Sequence, residues 1–165
     1  GRSAAGEGVR QAADGGSAPR GREGLMQDVI DMCHHAGVFF ARVGGQYGQG
    51  LGMYKVVLDC ALALHGPQHP ETAATLNNMA IVYRKQSKLE KALEFYQKAL
   101  DIRVSALGRD HPDVARTHNG LGNVREAQGD YEKALFHYGN AHEVNVAFVR
   151  GHALGRRSPP GSWQR

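Results

Sequence analysis

The fold is decided by residues 69–110, which read HPETAATLNNMAIVYRKQSKLEKALEFYQKALDIRVSALGRD. Residues 111–150 repeat this stretch at a spacing of 42 residues and open with the same His-Pro pair. A weaker copy covers about residues 27–68, where Tyr54 falls on Tyr96. Self-similarity at a fixed period of this length is typical of repeat architectures. The sequence therefore predicts a repeat domain of about three units over residues 25–150.

Each unit has the apolar pattern of two helices. A first helix is predicted by side chains at the i, i+3, i+4 and i+7 spacing, namely Leu76, Met79, Ala80 and Tyr83. A second helix is predicted by a stripe that contains Ala92, Tyr96 and Ala99. Because the alanines are small, the axes of packed helices can approach to roughly 8–10 Å while the larger side chains fill the grooves.

The helix boundaries are marked by residues suited to them. Pro70 and Pro112 stand where a helix can begin without losing a useful N–H. Gly45 and Gly129 fall between the two helices of a unit, where a residue with positive φ is expected. Ser87 replaces glycine in the middle unit. It is expected to close the first helix, to cap the second through the pattern Ser-Lys-Leu-Glu, or to do both.

The two outer units contain glycines inside their predicted helices. Gly120 and Gly122 interrupt the third unit, and each interior glycine costs roughly 1 kcal/mol relative to alanine. We therefore expect the third unit to be less stable than the second. The first unit is richer still in glycine, so its helices are expected to be poorly formed. Its glycines are Gly37, Gly44, Gly45, Gly48, Gly50 and Gly52.

The net positive charge of the chain comes from its two ends. Residues 1–24 hold four Arg against three acids, and residues 150–165 hold four Arg and no acid. Since these Gly- and Arg-rich ends lack large apolar groups, we expect residues 1–24 and 151–165 to be disordered. Two cysteines are too few for a disulfide framework, and no apolar run approaches the roughly 20 residues of a membrane span. A soluble, cytoplasmic protein is expected.

The repeats resemble the 42-residue tetratricopeptide repeats of kinesin light chain and its relatives. The shared features are the initial His-Pro, Thr-Leu-Asn-Asn before Ala80, the run Lys-Ala-Leu-Glu-Phe-Tyr-Gln-Lys-Ala-Leu, and Leu107-Gly108 before the next His-Pro. The resemblance implies an all-α solenoid of helix-turn-helix repeats, divided at about 27–68, 69–110 and 111–150. It also implies that the first helices line a concave groove that holds peptides.

Candidate binding residues lie on the face of the first helices that is separate from the packing stripe. They are Asn77, Ile81 and Arg84 in the second unit, Arg116, Asn119 and Asn123 in the third, and His35, Phe39 and Arg42 in the first. The resemblance implies that asparagines at this position grip the peptide backbone. An asparagine amide can pair with both N–H and C=O of an extended ligand, and the arginines would favour acidic ligand residues.

Catalytic and cofactor sites are not expected. No Ser-His-Asp, Cys-His or P-loop pattern stands in a suitable context. Among the nine histidines, His34 and His35 face different directions on a helix, and His137 and His142 lack the i, i+4 spacing of a helical metal site. Neither an enzyme, a cofactor nor a metal site is therefore predicted.

Three hypotheses about partners stay open. The preferred one is an adaptor or scaffold that binds proteins or peptides. The second is a recognition or regulatory fragment of a larger enzyme or motor-associated protein, and the third is self-association through exposed ends of the solenoid. The arginines at the chain ends could contact phosphates, but short basic tails are usually solvated, so nucleic-acid binding is not expected.

Overall fold

The computed structural model describes residues 21–42 and 45–153, and this part of the chain forms six α-helices. They are α1 (Arg22–Arg42), α2 (Tyr47–His65), α3 (Pro70–Lys85), α4 (Leu89–Leu107), α5 (Pro112–Ala127) and α6 (Tyr131–Ala153). The predicted all-α fold of three helix pairs is confirmed. No helix of the described residues is both long and apolar enough to cross a membrane.

The predicted disordered ends fall largely on residues that the structure does not describe, namely 1–20 and 154–165. In the described part, α1 begins at Arg22 and α6 continues to Ala153. The helices thus extend a few residues beyond the boundaries that the composition suggested at both ends.

The helices are arranged as three successive pairs. α1 packs on α2, α3 on α4 and α5 on α6, while α2 and α4 each contact the first helix of the next pair. Ala80, Ala92 and Ala99 are fully buried between the helices, so the small side chains are where the sequence analysis expected close packing. The largest core cluster joins the second and third pairs through Tyr96, Leu100, Val114, Leu121 and Val124.

The first helices of the second and third pairs begin at the predicted prolines. His69 and His111 are their N-caps, and each imidazole Nδ1 accepts a hydrogen bond from a backbone N–H, of Glu71 at 3.2 Å and of Asp113 at 3.1 Å. The repeated His-Pro pair therefore marks the start of a helix by supplying both a cap and a residue with a fixed φ.

The residues between the two helices of a pair adopt positive φ. Gly45 and Gly129 both have φ of 77°, and Ser87 has φ of 59°. The Ser87 N–H donates to Arg84 O at 2.9 Å, whereas the N-cap of α4 is Lys88, which makes no side-chain cap bond. Of the two roles considered for Ser87, it fills the first, since it closes α3 and does not cap α4.

Four helical glycines of the outer units lie where an aromatic ring or a backbone comes close, namely Gly37, Gly50, Gly120 and Gly122. α1 and α2 are continuous helices, contrary to the expectation that the first unit is poorly formed. A Cβ at Gly37 would lie 2.9 Å from the ring of Tyr54, and a Cβ at Gly50 would lie 3.3 Å from Gly37 O. The expectation of poorly formed helices follows from the conformational cost of glycine alone. It leaves out the space that a glycine provides for a neighbouring ring or backbone.

Candidate peptide-binding surface

All nine predicted binding residues lie on the first helices of the pairs, and these helices contact one another in order. Lys85 Nζ of α3 donates to Ala41 O of α1 at 3.0 Å, and the Asn78 and His34 side chains approach to 2.6 Å between the same two helices. α3 also contacts α5. We call the surface formed by α1, α3 and α5 the first-helix surface.

The nine residues differ in how far they reach solvent. His35, Phe39, Arg42, Arg116, Asn119 and Asn123 are exposed, Ile81 and Arg84 are half-buried, and Asn77 is buried. The two asparagines that are equivalent in the repeat, Asn77 and Asn119, therefore lie on contacting helices but in different surroundings. Asn119 is exposed, and its side-chain amide makes no hydrogen bond to any residue that the structure describes.

Asn77 is buried because an arginine from α4 reaches it. Arg103 is 2% exposed, and its Nη1 lies 2.6 Å from Thr117 Oγ1, 2.9 Å from Asp113 O and 3.3 Å from Asn77 Oδ1. Since Nη1 carries two hydrogens, it cannot serve three acceptors equally, and the long contact to Asn77 is the weakest. Arg103 thus links α3, α4 and α5 below the first-helix surface.

Arg103 has no counterpart in the other units, which is one reason why the equivalent asparagines differ. The other is that α5 of the next pair packs on α3 and α4, whereas no further pair packs on α5 in the described residues. One repeat earlier the position is Ala61, and one repeat later it is Asn145. Asn145 is exposed on α6. No guanidinium can therefore reach Asn119 from its own pair in the way that Arg103 reaches Asn77.

The Arg103 charge is stabilised mainly by neutral oxygen atoms. Among the described residues no carboxylate lies within salt-bridge distance of it, and its buried Nε has no hydrogen-bond acceptor. Burial lowers the pKa of the guanidinium, and the nearby Asp113 carboxylate opposes this shift. The junction between the second and third pairs consequently holds a buried positive charge that an anionic group could stabilise further.

A second polar cluster occupies the far part of α5. The Tyr138 hydroxyl of α6 lies 2.8 Å from Asn123 Oδ1 and 2.7 Å from Glu126 Oε2, so one of them accepts its proton. Burial and the hydrogen bond to Glu126 raise the pKa of Tyr138. Because the Asn123 oxygen is already in contact with a hydroxyl, Asn123 is less available to a ligand than Asn119.

Arg84 lies between these two clusters. It is half-buried, and its Nε is buried without an acceptor in the described part of the chain. Burial raises the pKa of Tyr96 in α4, while the Arg84 charge opposes this shift. The first-helix surface near α3 is therefore positively charged, and Arg116 on α5 is already paired with Asp113 at 3.0 Å.

Two grooves lie elsewhere on the molecule, between neighbouring second helices. One, of about 490 Å³, is bordered by α2 and α4, and the other, of about 650 Å³, by α4 and α6. Their walls are related by the repeat, as shown by Leu58 and Leu100, Leu62 and Val104, Leu76 and His118, Lys98 and Asn140, and Ile102 and Val144. These grooves are the alternative to the first-helix surface as a binding site for a peptide ligand.

Sequence reasoning missed Arg103 and Thr117. The sequence carries one signal for Arg103. It is a charged residue on a helix whose neighbouring residues keep the apolar pattern of the repeat. Thr117 gave no such signal, because Thr75 occupies the equivalent position and each threonine hydroxyl donates to the carbonyl four residues earlier at 3.0 Å. Its second role as an acceptor from Arg103 depends on packing between helices.

Comparison with known proteins identifies the repeat and the fold. The family model for the tetratricopeptide repeat matches residues 34–104 and 77–145. The crystal structure of BtubC (BKLC) from P. vanneervenii is similar to the chain with 25% identity and a TM-score of 0.68, over 76% of this chain and 51% of that one. A putative kinesin light chain with nearly identical TPR-like repeats from Podosopora anserina is similar at 14% identity and a TM-score of 0.61, over 83% of this chain and 63% of that one.

The chain thus spans about half to two thirds of the solved structures that it matches. No curated protein matches it at the significance level applied. Tetratricopeptide repeats are generally protein–protein interaction modules and are typically non-catalytic. With two overlapping matches that cover most of the described helices, this chain belongs to the tetratricopeptide repeat family.

Proposed function

We propose that the chain is an adaptor or scaffold that binds an extended peptide segment along the first-helix surface. The strongest support for this proposal comes from the side chain of Asn119. It is exposed on α5, and no described residue satisfies its amide. Such an amide can donate to a ligand C=O and accept from a ligand N–H, which suits a peptide whatever its side chains are.

The chemistry of the first-helix surface favours a peptide with acidic side chains. Arg42 and Arg116 are exposed, and Arg84 is half-buried, while the buried Arg103 lies below them. α1, α3 and α5 together hold six basic and six acidic side chains. The nine candidate binding residues, however, include three arginines and no acid, and of these arginines Arg116 is paired with Asp113. Ligand carboxylates would make charge-assisted hydrogen bonds with the accessible guanidinium groups. The apolar Phe39 and Ile81 would contact aliphatic parts of the same ligand.

The mechanism of an adaptor of this kind is preorganisation. The helix pairs are packed before the ligand arrives, so that little conformational entropy of the protein is lost on binding. The buried contacts of Arg103 hold α3 and α5 at a fixed spacing. A ligand that spans the two helices would therefore meet groups already in position.

The test is a comparison of two asparagine variants. A ligand would first be found by pulldown followed by peptide mapping, and its affinity measured by fluorescence anisotropy. We expect Asn119→Ala to weaken binding by roughly 5–30-fold, since one or two hydrogen bonds to the ligand are lost, each with a net value of about 1 kcal/mol. Asn140→Ala is the control, because Asn140 lines the groove between α4 and α6.

The reverse result would overturn the assignment. If Asn140→Ala weakened binding while Asn119→Ala did not, the ligand would lie in the groove between second helices. A basic peptide preferred over an acidic one would likewise contradict the proposed chemistry of the first-helix surface.

A second candidate is that the chain is the recognition or regulatory part of a larger enzyme or motor-associated protein. The observation that favours it is the length of the first similar structure, since the chain spans 51% of that structure. The two candidates share the same binding surface. A transcript that encodes further 42-residue units or a catalytic domain in frame would favour the second.

A further inference from the structure

The junction between the first and second pairs brings together three side chains that can bind a metal ion. His65 is the last residue of α2, His69 is the N-cap of α3, and Glu71 is in the first turn of α3. One ligand atom from each lies within 4.8 Å of the other two. The two imidazoles are stacked with centroids 4.4 Å apart, and His65 Nε2 lies 3.5 Å from Glu71 Oε2.

The backbone between these residues is held in place. Gly66 ends α2 with φ of 85°, and its N–H donates to Leu62 O at 3.1 Å. The hydroxyl of Thr72, which is 2% exposed, donates to Gly66 O at 2.9 Å. The turn is therefore tied to both helices, and the approach of the three side chains does not depend on a loop free to move.

The next junction shows that His65 is not needed for the helix start. There His111 caps α5 in the same way, and Asp113 stands where Glu71 stands, but Leu107 occupies the position of His65. The capping bonds have nearly the same length, 3.1 Å and 3.2 Å. The second imidazole is thus an addition specific to the first junction, for which capping gives no reason.

We propose that the His65 and His69 imidazoles and the Glu71 carboxylate form a site for Zn²⁺, with a fourth position open to water. Two imidazoles and one carboxylate are a donor set that zinc uses, with bonds of about 2.0–2.2 Å. Ligand atoms around such an ion are about 3.4 Å apart, so atoms that lie up to 4.8 Å apart must approach by up to about 1.4 Å. One imidazole must also turn out of the stack, so that a nitrogen of each ring points at the ion. His65 and Glu71 are at that separation already.

Binding of the ion would replace the capping bond of α3. If the metal takes Nδ1 of His69, the acceptor of the Glu71 N–H is lost. If it takes Nε2, the proton of the neutral ring moves to Nδ1, which then cannot accept from that N–H. In either case the Glu71 amide changes its environment, which gives a signature specific to this site.

The experiment is a Zn²⁺ titration of the metal-free full chain by calorimetry, with an NMR spectrum at each point. We expect one ion per chain and a shift of the Glu71 amide resonance. His65→Leu, which copies the second junction, and Glu71→Gln, which keeps the backbone amide, should each weaken Zn²⁺ binding by at least about tenfold. His142→Leu is the matched control, since His142 is exposed on α6 and away from the junction.

Other ligands on this chain could bind zinc, and the same variants separate them. Cys33 and Cys60 are both free, and His118 and His137 approach to 3.3 Å. Co²⁺ in place of Zn²⁺ reports thiolate ligation by a charge-transfer band in the near ultraviolet, which we expect to be missing. The proposal is overturned if no ion binds, if the band is present, or if His65→Leu and Glu71→Gln leave the affinity unchanged.

Discussion

Replacement of Gly120 by alanine should destabilise the protein, although alanine is the better helix former. The helix propensity alone predicts a gain of about 0.8–1.0 kcal/mol. The added Cβ, however, would lie 2.4 Å from Cε1 and 2.5 Å from Cζ of Tyr96. Carbon atoms pack at about 3.5–4.0 Å, so the ring or α5 must move by about 1 Å.

Neither the ring nor the helix can move freely. Tyr96 is 2% exposed and belongs to the core cluster that joins the second and third pairs. Overpacking of a closed core typically costs about 1–3 kcal/mol. Since the overlap at Gly120 is severe, we expect this cost to exceed the gain in propensity and to lower the free energy of unfolding.

Gly139 provides the matched control within the same fold. It lies inside α6 with nothing within 4 Å of a new Cβ, so Gly139→Ala should stabilise the chain by the full propensity difference of about 1 kcal/mol. Gly122 is intermediate, because its added Cβ would meet Tyr138 at 2.5 Å but that ring is only half-buried and can turn outward.

The assay is urea denaturation followed by far-ultraviolet circular dichroism. The expected order of midpoints is Gly139→Ala highest, then the unaltered chain, with Gly122→Ala lower and Gly120→Ala lowest. If Gly120→Ala stabilised the chain as much as Gly139→Ala, the argument that the glycine makes room for Tyr96 would be refuted.

Three further predictions concern other parts of the chain. Arg103→Met should lower the free energy of unfolding by about 1–3 kcal/mol in urea denaturation, because Asp113 O, Thr117 Oγ1 and the buried Asn77 oxygen all lose the donor that Arg103 supplies; an unchanged value would contradict this. His111→Ala should cost about 1 kcal/mol in the same assay through loss of the α5 cap, and His111→Asn should restore most of it. Burial lowers the pKa of His118, so the unfolded state takes up the proton first. The stability that neutral His118 contributes is therefore fully present above its pKa in the unfolded state, about 6.5. It is lost as pH falls through the lower pKa of His118 in the folded state. The midpoint of thermal unfolding should drop between about pH 7 and pH 5, and less so in His118→Leu; an equal drop in both would contradict the assignment.

The helices could be predicted from the sequence because their signals are local. The apolar spacing of Leu76, Met79 and Tyr83 and the His-Pro pairs depend on neighbouring residues, and the structure begins α3 at Pro70 and α5 at Pro112. Ser87 was ambiguous for the same reason. A capping box and a helix-closing residue use similar local sequences, and only the backbone angle separates them.

The surroundings of the candidate binding residues could not be predicted in this way. Asn77 and Asn119 are identical in type and equivalent in register, yet one is buried and the other is exposed. The difference arises partly from Arg103, which is separated from Asn77 by 26 residues and reaches it from another helix. It arises also from α5, which packs on α3, whereas no further pair of the described residues packs on α5. Helix periodicity states which face a residue occupies but not which side chain of the next helix covers it.

Residues that break the repeat are, for this reason, better guides to the specific chemistry of the chain than residues that keep it. Where the register holds, as at Ala92 and Ala134, both copies are buried and the residue serves the packing that every pair requires. Arg103, with Ala61 and Asn145 at the equivalent positions, and His65, with Leu107 at the next, are not required for packing in that way. Each lies at a junction between pairs, where it gives that junction a charge or a ligand that the other lacks. A longer chain of this type would therefore present different chemistry at each junction while the helix pairs themselves stay alike.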